Sequence, residues 1–123
     1  MRNIHNLVHP KDFNTTQALT VAMGWTVLFS YVVASKEVFK LTHFSNYMGT
    51  GDWSNVAWRI KKNGIPVAPY DNILDQLGIS TEPRSIEPVK GRGGDLIEIE
   101  AMLLADAVED PNNIGIAAKY EVM

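Results

Sequence analysis

No cysteine occurs anywhere in this 123-residue sequence. That excludes disulfides, thiol nucleophiles and zinc sites built on thiolates, and it fits a chain made and used in a reducing compartment. Clustered positive charge is missing too. The eleven Lys and Arg residues are scattered among fourteen Asp and Glu, for a formal net charge of −3. With no basic stripe to neutralise a phosphate backbone, nucleic acid is not an expected partner. Runs of like charge, internal repeats and low-complexity tracts are also absent. With 46% apolar and 20% charged residues, the composition is that of a globular chain with room for one apolar core.

Charge is absent altogether from Phe13 to Ser35, and Ala18 to Ala34 reads ALTVAMGWTVLFSYVVA. A membrane-spanning helix needs about 20 mostly apolar residues. Thr20, Gly24, Thr26 and Ser30 interrupt this run, and β-branched and aromatic residues dominate it. Two consecutive buried strands hinged at Gly24 account for that pattern better than a span, because buried strands read as near-continuous apolar runs. No basic segment with a small-residue cleavage site opens the sequence, so no secretory signal is read and a soluble protein is expected.

The rest of the chain is mostly strand-like. Residues 1–13, MRNIHNLVHPKDF, read as an arm ahead of one domain over 14–123, with strands starting at Thr15 and Gly24. Alternation puts Trp25, Val27, Phe29, Tyr31 and Val33 on one face of the second strand, which is expected to meet the core. Val38–Met48 alternates again, with Phe39, Leu41 and His43 opposing Lys40, Thr42 and Phe44. After GTGD at 49–52, Trp53–Lys62 places Val56, Trp58 and Ile60 together. Asn63-Gly64 then reads as a type I′ hairpin turn, and Pro66 confines the return strand to an edge. One short helical turn is expected at 70–79, where Asn72 caps, Ile73, Leu74 and Leu77 share a face and Gly78 stops it. Ser85–Val89 reads as a short strand in a Pro- and Gly-rich loop. Asp95–Leu104 reads as a strand with Ile97, Ile99, Ala101 and Leu103 inward and its glutamates facing water. Ile114 to Val122 closes the pattern. Seven or eight short strands with turns between them predict an all-β, antiparallel sandwich of the jelly-roll kind.

Catalytic signatures are missing. A metal site needs converging imidazoles and carboxylates. His43 has no neighbour of that kind, and the His5/His9 spacing suits a helix that Pro10 makes unstable. No serine sits in a Gly-x-Ser-x-Gly elbow. Glu98 and Glu100 have the spacing of an outward strand face, not of a glycosidase pair across a cleft. The GRGG at 91–94 lacks the Walker spacing and precedes a strand, so a turn explains its glycines. No enzyme activity, cofactor or metal is therefore expected. Tyr47, Trp53 and Tyr70 remain as aromatics that a ligand such as a sugar would stack on, against a packing role for most such residues.

The order of features resembles the small jelly-roll accessory proteins of tailed-phage virions, the capsid decoration or cement proteins. The matching elements are the arm MRNIHNLVHPKDF, the Gly-Trp strand at 24–33, WRIKKNG at 58–64, GGDLIEIEA at 93–101 and NIGIAAKYEV at 113–122. The resemblance implies a non-enzymatic virion structural protein, assembled in a host cytoplasm and seated as a homotrimer on major capsid protein, with no membrane association. An alternative is the carbohydrate- or receptor-binding head of a phage fibre or adhesin. In the first case the apolar arm residues Ile4, Leu7, Val8 and Phe13 are the expected partner contacts.

Overall fold

The computed structural model describes residues 8–49, 55–74, 76–78, 81–104 and 110–123. They form eight strands: β1 (His9–Leu19), β2 (Thr26–Val32), β3 (Val38–Met48), β4 (Val56–Lys62), β5 (Ile65–Pro66), β6 (Arg84–Arg92), β7 (Leu96–Leu103) and β8 (Asn112–Val122). One sheet has the order β1-β8-β3-β6 and the other β2-β7-β4-β5. All strand pairs are antiparallel. First pairs with last, second with seventh, third with sixth and fourth with fifth, the wrapped-hairpin topology of a jelly roll. No helix among the described residues is long and apolar enough to cross a membrane; the uncharged run is instead spent on β1, a 3-10 turn at Val21–Met23 and β2.

The core follows from alternation on facing strands. Ile97, Ile99, Ala101 and Leu103 of β7 and Val56, Trp58 and Ile60 of β4 come from one sheet. Phe39, Leu41 and Phe44 of β3 and Ile114, Ile116 and Ala118 of β8 come from the other, and all of these are buried. At one end, Phe13, Phe29, Tyr31, Phe39 and Tyr120 form an aromatic group with centroid spacings of 5.0–5.5 Å, close enough for favourable edge-on and tilted contacts. The Tyr31 hydroxyl donates to Glu37 Oε1 at 2.7 Å. Burial first, then that bond and the glutamate's charge, push its pKa up to about 12.

Turn chemistry holds where it is local. Asn63 and Gly64 have φ of 54° and 81°, as a type I′ turn requires, and Lys62 faces Ile65 across the two-residue loop. The Asn63 carboxamide docks this turn on the neighbouring one: Nδ2 donates to Asp95 Oδ1 at 3.0 Å and Oδ1 accepts from Leu96 N at 2.9 Å.

Five expectations need correction. First, β1 starts at His9, so residues 9–13 are strand paired with β8 and not arm; Pro10 is tolerated there because the strand is an edge. Residues 1–7 lie outside the described residues.

Second, the register of β2 shifts between Val27 and Phe29, leaving Leu28 unpaired. Leu28 and Phe29 are both buried, while Trp25 and Val27 move to the outer face. Third, β3 has the same device between Leu41 and His43. It turns Phe44 inward and His43 outward, the reverse of simple alternation. A bulge inserts a residue into one strand only and so inverts every side chain beyond it.

Fourth, the described part of 70–79 forms no helix. Ile73 exchanges two backbone hydrogen bonds with Trp58, at 2.8 and 3.0 Å. Pairing with β4 satisfies its backbone groups in a way that a two-turn helix could not match. The loop strand expected at 85–89 is a nine-residue strand. Fifth, Glu100 does not face water.

Candidate interaction surfaces

The outer face of the β2-β7-β4-β5 sheet holds an ion pair that is shielded from solvent. Arg59, on β4, faces Glu100, on β7, as a cross-strand partner. Its Nε donates to Glu100 Oε1 at 2.7 Å, with side-chain exposures of only 20% and 8%. Lys61 Nζ approaches the same oxygen at 3.4 Å. The cover is Trp25, whose ring lies 3.9 Å from the Arg59 guanidinium carbon, a stacked cation–π arrangement. Val27 and Val32 of β2 stand exposed on the same face, at 40% and 66%. At its far end Lys62 Nζ lies 3.7 Å from Asp95. The Asp95 carboxyl is held below its ordinary pKa first by the Asn63 hydrogen bond and then by the Arg92 backbone N–H.

This face exists because of the bulge in β2. Straight alternation would send Trp25 and Val27 into the core; the unpaired Leu28 turns them outward, over Arg59. Sequence reasoning missed the cluster for that reason. The one available signal was Arg59 and Lys61 at outward positions of β4 opposite the glutamates of β7, which only pairing brings together.

The outer face of the β1-β8-β3-β6 sheet carries polar side chains across its middle, with Val38 exposed at one end of β3. Across it, Asp12, Lys119, His43 and Ser85 are successive register partners. A recess of about 360 Å³ lies at one side, lined by Asp12, Asn14, Thr81, Pro83, Ala117 and Lys119 among others. The Thr42 hydroxyl donates to the Lys119 carbonyl at 3.1 Å and sits 2.8 Å from His43 Nδ1.

Of the residues singled out from sequence, Ile4, Leu7 and Trp53 lie outside the described residues. Val8 is exposed. Phe13 is turned into the sandwich against Phe29, at 5.0 Å between centroids, and is not free to anchor an arm. Tyr47 is consumed by packing. Its ring lies where a Cβ at its cross-strand partner Gly115 would have to be. Its hydroxyl donates to Asn14 Oδ1 at 2.6 Å and lies 3.1 Å from the Thr15 carbonyl and 2.9 Å from Thr16 Oγ1. Tyr70 is half-buried with its hydroxyl on the Glu87 carbonyl at 3.2 Å, beside a recess of about 230 Å³ lined by Leu77, Arg84 and Ile86. Tyr47 and Tyr70 thus sit in different places, and both are held by the fold. His9 and His43 stand on β1 and β3, and no group of three metal-ligating side chains forms among the described residues. Gly94, in the GRGG segment, has φ of 93° and serves the turn between β6 and β7.

Compared with protein families and with curated proteins, the chain matches no family model and no individual protein.

Proposed function

We propose that this chain is a non-catalytic structural protein that works by binding other proteins, as an accessory (decoration or cement) subunit of a virion shell. The observation that supports it best is the shielded Trp25–Arg59–Glu100 cluster with Val27 and Val32 on the outer face of one sheet. Trp and Arg held in a desolvated setting are the residues that concentrate binding energy in protein interfaces, and side chains already fixed by stacking and an ion pair lose little freedom on docking. The interior, by contrast, is packed with aliphatic and aromatic side chains, so chemistry inside the sandwich has no support.

The test is occupancy. Quantitative mass spectrometry of the native particle should find this chain at a fixed ratio to the most abundant shell protein. Trp25→Ala should lower that occupancy at least about tenfold while the far-UV spectrum stays β-rich. Absence from particles, or unchanged occupancy in the variant, overturns the reading.

A second reading, a carbohydrate-binding head, has one observation in its favour: the 360 Å³ recess with Asp12, Asn14, Thr81 and Lys119 on its walls, the size and polarity that suit a small polyol. A few copies per particle at a fibre tip would favour it over the first.

A further inference from the structure

The four sheet edges of this molecule are not treated alike. On the β4 side, the two-residue β5 is followed by a segment whose backbone covers the rest of the strand: Val67 and Tyr70 bond to Ile60, and Ile73 to Trp58. The β6 edge carries Pro88 inside a register break, with Lys90 and Arg92 beyond it. The β2 edge is seven residues long and broken by the Leu28 bulge. Short strands, prolines, bulges, charges and covering loops are how edges are kept from pairing with other chains.

The β1 edge has almost none of these. It is eleven residues long, pairs with β8 in unbroken register from His9 to Leu19, and carries neither charge nor proline from Phe13 onward. Among the described residues no backbone hydrogen bond links 9–19 to any element but β8. Among the described residues, the one side-chain contact to its backbone is that of the Tyr47 hydroxyl with the Thr15 carbonyl. In an antiparallel ladder every second residue turns its N–H and C=O away from the partner. Over about 37 Å, β1 thus presents a row of backbone donors and acceptors on the side away from β8.

We infer that β1 is a strand-addition edge and that its occupant is β1 of a second copy, joined about a two-fold axis so that the two four-stranded sheets become one of eight. The two-fold requires antiparallel apposition, and the charges of the strand allow it. With the axis near Asn14 or Thr15, Lys11 faces Gln17 or Leu19 of the partner subunit and Asp12 faces Thr16 or Ala18 of the partner subunit, so no like charges meet. Thr15 and Thr16 then fall near the axis, where β-branched cross-strand pairs are favourable. A second copy is preferred to a loose peptide because its β1 is already extended and ordered by β8, so pairing pays little of the entropy that a flexible segment would lose. This contact is independent of the outer-face reading above. It closes at two subunits, in place of the trimer that the resemblance implies.

Sedimentation equilibrium or native mass spectrometry on the full chain is expected to give twice the 13.7 kDa chain mass. Thr16→Pro and Gln17→Pro, made separately, separate edge from ladder: N–H groups of successive residues point to opposite sides, so one of the two removes only an outward donor. That variant should be monomeric with a β-rich far-UV spectrum. Hydrogen exchange gives a readout that needs no variant, since alternate amides of 9–19 facing away from β8 should be protected in the dimer. A monomer at about 100 µM, a trimer, a dimer that persists in both proline variants, or a dimer in which those amides exchange freely would each overturn the inference.

Discussion

The two outward sheet faces were built from the same alternating pattern and came out differently. On the β2-β7-β4-β5 face, two cations, Arg59 and Lys61, converge on one carboxylate oxygen of Glu100, and Trp25 roofs the Arg59 guanidinium. On the β1-β8-β3-β6 face, Asp12 and Lys119 are register partners that make no ion pair, and the aromatic there, Tyr47, lies flat over a glycine with its hydroxyl tied to β1. The lesson is that outward parity does not mean solvated. A bulge brought an indole to one face and so removed water from a charge pair. A glycine on the other let a tyrosine clamp the edge strand, leaving the charges wet.

The comparison breaks most visibly at Glu100. Glu100→Ala leaves two cations sharing a covered site with no counter-ion, and should cost about 2–4 kcal/mol, somewhat less than a fully buried pair because Arg59 retains some solvent. Replacing both partners, Arg59→Met with Glu100→Leu, should recover most of that loss. Urea unfolding measures both. A loss under about 0.5 kcal/mol for Glu100→Ala would mean that the roof does not exclude water.

On the other face the sensitive position is Gly115. Gly115→Ala places a methyl where the Tyr47 ring lies, and should cost about 1–3 kcal/mol. In a Tyr47→Ala background the same change should be nearly free; a coupling energy near zero in that double-mutant cycle would show that the ring is not what Gly115 accommodates.

Between the faces, Tyr31 offers a pH test. Its folded pKa of about 12 lies above the ordinary tyrosine value of 10.0, so the fold favours the neutral phenol. That contribution is full below pH 10 and is lost as pH rises towards about 12. Thermal unfolding should show the decline over that window, and it should weaken in Glu37→Gln, which lacks the carboxylate that repels tyrosinate. The effect is modest because Tyr31 is only half-buried. Smallest of all, Asp12→Asn and Lys119→Met should each move stability by less than about 0.5 kcal/mol, as expected for exposed charges that form no ion pair among the described residues. A larger change in either denaturation curve would make the two faces alike after all.

Local chemistry was enough for much of this molecule. The alternation of 38–48 delimits β3, Asn63-Gly64 demands the turn that forms, Pro66 marks a short edge piece, and Ile97, Ile99, Ala101 and Leu103 point inward as their spacing requires. These depend on one strand's own residues and on dihedral limits that travel with the sequence. What only tertiary structure decided depends on a partner strand. The bulges at Leu28 and Thr42 are defined by the register against β7, β6 and β8, and they alone send Trp25 outward and Phe44 inward. The burial of Glu100 needs β4 beside β7 and β2 on the far side. The segment at 70–78 has helix-forming residues, but a free stretch of β4 backbone nearby offers Ile73 bonds that a two-turn helix cannot equal. Periodicity reports which side chains share a face. It carries no information about where a neighbouring strand makes that face change sides, because a bulge belongs to a pair of strands and not to either one.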